Sequence, residues 1–411
     1  MKIIYIHQLF STKRGATGTR SYEMSQRLLQ AGHQVTMVCG AYDVADINFK
    51  EPDNARDRII EFEVDGIHVI RIAEPYGNRM SFARRILAFG RFARTAEKIV
   101  RRLNADLVFA TSPPLTVGIP GMRAARQLGV PFVFEVRDRW PEGAINMGAI
   151  KNPLLIWYLE RLERKIYRAA DRVIALSPGA QDGICSTGYP RDKVAMIPNA
   201  SDIDLFQPGT GKLTDPRFGE PDDFRLVYTG AHGFANGLDA VLDAAVELKK
   251  RGEQGIRFVF IGEGILRKTL IERSKREGLD AMTSWVPSIP KEELAHILPQ
   301  MDAGMMLLKN IPSLYYGSSP NKFFDYIASG LPVINNYPGW LADMIQAHQC
   351  GMAVPPDNPA AFADAVVWMR EHANEIREMG RRGRILAETE FSRDKIAAQF
   401  IETIQAARRE H

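Results

Sequence analysis

Short apolar runs alternate with longer stretches of helical periodicity through most of this chain. The first run is residues 3–6, followed by a polar loop that holds Gly15 and Gly18. Beyond it Tyr22, Met24, Leu28 and Leu29 recur at helical spacing, which predicts a helix over 19–31 with these four toward the core. Gly32 stands where a glycine ends a helix, and residues 35–38 predict the next strand. Similar apolar runs lie at 69–72, 107–110, 132–134, 173–176 and 194–197. Strands alternating with helices predict a parallel sheet covered on both faces.

The rhythm stops at residues 207–223, QPGTGKLTDPRFGEPDD, which read as a linker or long surface loop. It restarts with strands at 226–228, 258–261, 304–307 and 332–334. The predicted fold class is therefore α/β, two doubly wound Rossmann-like domains facing across a cleft. The expected boundaries are 1–205 for the first domain and 206–390 for the second. A terminal helix over 391–411, with Ser392 as its N-cap, is expected to pack back on the first domain. Ligands of such sheets bind at the carboxyl ends of the strands, so the chemistry is expected on the loops that follow them.

A length of 411 residues exceeds what one core usually organises, in agreement with two domains. The apolar and charged fractions, 45% and 25%, exclude a disordered chain. Cys39, Cys185 and Cys350 are far apart, without metal-ligand spacing, and fit a reducing compartment. The N-terminus lacks the apolar core of a signal peptide, and no apolar run is long enough to span a membrane. A cytoplasmic protein is expected.

Candidate chemistry falls on three loops. Gly15-Ala16-Thr17-Gly18 lies between the first strand and helix, where glycines let backbone approach an anion at a helix N-terminus. Its spacing is not G-x-G-x-x-G and no acid closes the second strand, which disfavours a dinucleotide. Tyr228-Thr229-Gly230-Ala231-His232-Gly233 repeats the strand-to-glycine-loop arrangement, with His232 placed to hydrogen-bond a diphosphate or sugar. In the run over 318–334, Asn321 and Lys322 occupy the first turn of a helix and suit a diphosphate. Asp325, one turn on, can accept hydrogen bonds from the two hydroxyls of a ribose.

This run resembles the C-terminal signature of family-four retaining glycosyltransferases of GT-B fold, Glu-x7-Glu followed by Ala-Met-Ala-x-Gly-x-Pro-Val-Ile. Asp325 matches the second acidic position, which the resemblance assigns to the donor ribose; the first falls on Gly317, a departure. Ile197-Pro198-Asn199-Ala200-Ser201-Asp202 is similar to the family's inter-domain hinge. Ile261-Gly262-Glu263-Gly264 resembles its next glycine turn, which with the loop at Trp285-Val286-Pro287 lies near the nucleotide base. Glu135-Val136-Arg137-Asp138-Arg139-Trp140-Pro141-Glu142 is most like the WbuB-like branch of N-acetyl-L-fucosamine and related aminodeoxysugar transferases. Relatives carry His-Asp where this chain has Arg137-Asp138, which implies that this pair meets the donor sugar or acceptor. The family's usual diphosphate-gripping Arg and Lys are replaced by Ala231 and Ala235 or Asn236, which leaves Lys309 and Lys322 as the candidate cations.

The implied activity is retaining transfer from a UDP-linked donor, possibly a 2-acetamido or 6-deoxy sugar, to a glycan or polyprenyl-diphosphate-linked acceptor in surface-polysaccharide biosynthesis. No metal and no other cofactor is expected; Asp202-Ile203-Asp204 is a D-x-D, but in the hinge segment. The alternative is a UDP-sugar 2-epimerase of the same architecture, with His232 and the Glu135/Asp138/Glu142 set as acid–base groups.

Last, Arg79, Arg84, Arg85, Arg91, Arg94, Lys98, Arg101 and Arg102 face one acid, Glu97, in a single predicted helix. Phe82, Ile86, Leu87, Phe89 and Phe92 are interleaved with them. Basic and aromatic residues together suit an anionic membrane surface, so peripheral attachment through this helix is expected, and nucleic acid is not.

Overall fold

A computed structural model describes residues 1–15, 18–42, 59–77, 80–209, 211 and 213–411, so Ala16, Thr17 and Arg79 lie outside the described residues. The chain divides into two compact units. The first holds Met1–Pro198, Gly317–Ser319 and Asp394–His411; the second holds Asn199–Tyr316 and Pro320–Arg393. The long opening stretch of the first unit ends at Pro198, inside the segment expected to be a hinge.

Eight strands build the first sheet: β1 (Lys2–Ile6), β2 (Gln34–Tyr42), β3 (Ile59–Val64), β4 (Ile67–Tyr76), β5 (Leu107–Thr111), β6 (Phe132–Val136), β7 (Arg172–Ala175) and β8 (Val194–Met196). Their order is β3-β4-β2-β1-β5-β6-β7-β8. All neighbours are parallel except β3 and β4, a hairpin. Sequence periodicity missed β3, although its turn, Asp65-Gly66, is a strong hairpin signal; both residues have positive φ, 47° and 81°. The central strands are buried on both faces, as sheets flanked by helices must be. Phe400 of the terminal helix Arg393–Glu410 packs edge-on against Phe109 of β5 at 5.1 Å.

The second unit has six parallel strands: β9 (Phe224–Thr229), β10 (Ile256–Ile261), β11 (Thr283–Val286), β12 (Ala303–Met306), β13 (Val333–Asn335) and β14 (Gly351–Ala353). Their order is β11-β10-β9-β12-β13-β14, which puts β9 at the point where the order reverses. Val286 is thus the last residue of a strand, not part of a loop. Of the two readings of residues 207–223 the surface loop holds, since most of its described residues are exposed and all lie within the second unit; Phe218 is fully buried, and Arg225 donates to the carbonyls of Leu213 and Glu220, tying the segment to β9.

The basic helix, Phe82–Val100, corrects a second expectation. Phe89 and Phe92 are buried with Ala88, Ala93, Ala96 and Val100, and Phe89 stacks on Tyr76 at 5.2 Å. Phe89 and Phe92 fill the core instead of facing a membrane. Arg91 pairs with Glu74, and Arg101 with Glu97. A solvated basic face remains, with Leu87 exposed beside it but neither Phe89 nor Phe92. Among the described residues no helix is long and apolar enough to cross a membrane.

Candidate active site

Three loops meet at the carboxyl ends of β9, β10 and β11. Gly230 N–H donates to Ile261 at 2.9 Å, Gly262 N–H to Val286 at 3.0 Å, and His232 N–H to Glu263 at 2.9 Å. The backbones approach so closely that a Cβ on Gly262 would sit 2.0 Å from the Gly230 carbonyl oxygen. Glycine is required here for contact as well as for its φ of 149°. One consequence corrects the expected diphosphate cradle. The amides of Gly230, Gly262 and His232 are already spent, which leaves those of Ala231, Gly233, Asn321 and Lys322 without a backbone acceptor among the described residues.

His232 is not a solvated loop histidine. It is fully buried among Tyr228, Phe260 and Trp285, with ring centroids 6.2, 6.4 and 5.7 Å away. Neither ring nitrogen has a partner among the described residues. Burial, helped by Arg267 and Lys322, holds its pKa down to about 4, so the imidazole is neutral.

Lys322 is the second residue of the helix Asn321–Ala328. Part of the side chain is accessible, but its ammonium lies 3.9 Å from the centroid of the Tyr228 ring, against Gly230. No carboxylate pairs with it among the described residues. Burial pushes its pKa down to about 7. A cation at a helix N-terminus is set against the helix dipole, and both features mark a place for an anion. Tyr326 OH accepts from Thr229 N–H at 2.9 Å and so ties the same helix to the end of β9.

Asp325 is buried, and Lys291 Nζ lies 3.4 Å from its Oδ1. Desolvation raises its pKa, opposed by Lys291 and Arg393. Lys291 opens the helix Lys291–Ile297 just beyond β11, with its ammonium over the Phe206 ring at 5.3 Å. Lys309 is placed differently. It is exposed and lines a hollow of about 290 Å3 with Phe234, Gly237 and Asn310, a hollow that Lys322 does not line. Beside Gly317 a Cβ would meet open space, so crowding does not explain the absent acid. Asp202 of the D-x-D is 3.4 Å from Arg393.

In the first unit the expected carboxylates behave differently again. Glu135 at the end of β6 is fully buried and accepts from Arg20 Nε at 2.9 Å and Thr111 Oγ1 at 2.6 Å. Arg20 also donates to the carbonyls of Ile197 and Pro198. Glu135 is therefore a structural anchor with its lone pairs engaged, and Glu142 pairs with Arg139. Arg137 is half-buried with a guanidinium nitrogen 3.4 Å from His7 Nε2, whereas Asp138 is exposed. Burial and Arg137 push His7 well below its ordinary pKa. Facing a guanidinium donor, Nε2 must accept, so Nδ1 carries the proton toward Ser21 Oγ, 2.8 Å away. Gln8 is fully buried with neither amide atom partnered among the described residues. Gly15 and Gly18 frame the loop before the helix Arg20–Gln30, and Gly15 N–H donates to Thr12.

Sequence reasoning missed His7, Gln8, Arg20 and Lys291. For the two cations a signal existed. Each opens a helix, where acids are favoured, and such a cation calls for a buried acceptor.

Two family models match the chain: a glycosyl transferase 4-like domain over residues 15–200 and glycosyl transferases group 1 over residues 223–372. A GDP-mannose-dependent alpha-mannosyltransferase of Mycobacterium tuberculosis is 26% identical over 63% of this chain, a match spanning 62% of that relative's length. The structure of sucrose-phosphate synthase from Thermosynechococcus elongatus superposes with a TM-score of 0.76 at 16% identity, over all of both chains. HepE of Anabaena, solved with UDP and glucose, superposes with a TM-score of 0.72 at 14% identity, over 99% of this chain and 100% of that one.

Proposed function

Because this chain belongs to the GT-B glycosyltransferases of the 4-like and group 1 families, we propose that it transfers a sugar, with retention, from a nucleoside-diphosphate sugar to a hydroxyl. The observation that carries this reading is Lys322: an ammonium against the Tyr228 ring with no carboxylate among the described residues, at a helix N-terminus and beside a glycine loop. A departing diphosphate supplies the missing charge. Stabilising it is the main demand on the catalyst, since charge develops there as the glycosidic bond breaks. Lys322 and the amides of Ala231, Gly233, Asn321 and Lys322 itself meet that demand. The diphosphate then takes the acceptor proton as the new bond forms on the face from which it left. The reaction is written without a metal ion.

Asp325 takes the ribose hydroxyls through the oxygen that Lys291 leaves open, and neutral His232 offers a ring N–H to a sugar or phosphate oxygen. In the first unit Arg137, held beside His7, takes a sugar or acceptor hydroxyl, with Asp138 supporting it. A UDP-linked 2-acetamido or 6-deoxy donor and a lipid-linked glycan acceptor at the inner face of the membrane complete the reading. The match around Trp140-Pro141-Glu142 supports the aminodeoxysugar branch. HepE was solved with UDP, while the mannosyltransferase uses GDP-mannose, so the base is the first thing to test. Thermal shifts with UDP and GDP read it directly, because a ligand of the native state raises Tm. A shift with GDP alone would refute the UDP assignment. The epimerase alternative loses Glu135 to its ion pair with Arg20. Epimerised nucleotide sugar formed without acceptor would nonetheless overturn the transferase reading.

A further inference from the structure

The helix Pro153–Ala169 buries Leu159, Leu162, Ile166 and Tyr167 on one side. On the other, Leu154, Trp157 and Tyr158 stand 78%, 58% and 54% exposed within its first two turns. Arg161, Lys165 and Arg168 continue the same face at three- and four-residue spacing, all exposed and without a carboxylate partner among the described residues. The helix's acids are elsewhere. Glu163 is buried and accepts from Tyr167, and Glu160 is half-buried at 3.5 Å from Arg164. A hollow of about 540 Å3 runs along the cationic half, between Trp157 and Arg168. The Arg161 guanidinium lies over the Trp157 ring at 5.7 Å, joining the two halves.

We propose that this face docks on an anionic lipid bilayer, independently of the catalytic reading. Leu154, Trp157 and Tyr158 enter the interface, where amphipathic rings are at home, and Arg161, Lys165 and Arg168 lie on lipid phosphates. Charge complementarity selects the partner. A second copy of this chain, with a net charge of +4, brings no excess of acid. Nucleic acid would neutralise the cations but leave Leu154 and Trp157 in water. The Phe82–Val100 helix sets its cations beside one exposed large apolar residue among those described, Leu87, because Phe89 and Phe92 are in the core.

Co-sedimentation of the full chain with phosphatidylcholine vesicles, with and without phosphatidylglycerol, tests the proposal. Binding is expected only with phosphatidylglycerol, and weaker in high salt. Replacing Arg161, Lys165 and Arg168 by Glu should lower partitioning about a hundredfold. Trp157→Ala with Tyr158→Ala should lower it about tenfold. Arg84→Glu with Arg94→Glu should lower it far less, and nucleotide-induced thermal shifts should persist in every variant. Wild type that ignores anionic vesicles at low salt would overturn the proposal. So would release by the Arg84/Arg94 variant but not by the triple variant, or full binding after loss of Trp157 and Tyr158. A wild-type dimer that Trp157→Ala makes monomeric would instead assign the face to a second copy.

Discussion

Arg20 in the first unit and Lys322 in the second are both cations in the first turn of a helix. Their surroundings are opposite. Arg20 is almost fully buried, and every direction of its guanidinium meets an acceptor: Glu135 and the carbonyls of Ile197 and Pro198. Lys322 meets an aromatic face and a glycine, and among the described residues no carboxylate. A cation placed against a helix dipole is unfavourable unless an anion compensates it. The first unit carries that anion in its own sequence, so Arg20 holds the fold together. The second sets no carboxylate against Lys322 among the described residues, and on the proposed reading the compensating anion is the donor's diphosphate.

Five experiments test this contrast and the site around it. The largest effect is expected from Glu135→Ala, which strands the buried Arg20 and should cost about 3–5 kcal/mol of stability. Urea denaturation reads it, and a loss below about 1 kcal/mol would mean that the pair is not compensated as described. Lys322→Ala should do the reverse, slowing turnover about a hundredfold or more while Tm holds or rises. Steady-state kinetics beside a melting curve separate the two, and full activity would leave the amides as the diphosphate site. Asp325→Ala should weaken UDP binding by about 1.5–3 kcal/mol, the scale for hydrogen bonds to a charged group. Calorimetry on Asp325→Asn is the companion: retained affinity there would show that the carboxylate charge, and with it the ion pair to Lys291, is dispensable for holding the ribose.

The pH response is expected to be smaller and to run in two directions. In the folded protein Lys322 releases its proton near pH 7, while in the unfolded chain it does so near 10.5. Between those values the unfolded state binds more protons, so this group's contribution to stability rises with pH and is lost as pH falls toward 7. Diphosphate affinity should fall over the same window, because the free protein must first regain the proton. Chemical denaturation and UDP titration at pH 6.5 and 9 check both signs; affinity that is flat or rising would remove Lys322 from the phosphate site. The chelator EDTA should change turnover least, and a strong loss would call for a metal that the proposed chemistry omits.

Much of this molecule could be read before any coordinates. The alternation of apolar runs and helical stretches exposed two doubly wound units, because a strand buried on both faces has to be apolar throughout. Glycine loops after strands were legible for a related reason: backbone approach at Gly262 excludes any side chain, whatever the surrounding sequence. The hairpin strand Ile59–Val64 was legible but passed over, with its signal in the turn rather than in the strand.

Which polar group is free and which is engaged was a matter for tertiary structure alone. Glu135 and Asp325 are both acids among apolar neighbours in sequence, yet Arg20, 115 positions away in the chain, decides that Glu135 is structural. The two aromatic-basic helices make the same point. Phe82–Val100 showed the stronger pattern, but packing turns Phe89 and Phe92 inward, while Trp157 and Tyr158 of Pro153–Ala169 face water. Sequence fixes what a residue can do through its local chemistry and spacing. Burial and pairing depend on groups brought together from distant positions, and only the folded chain determines those.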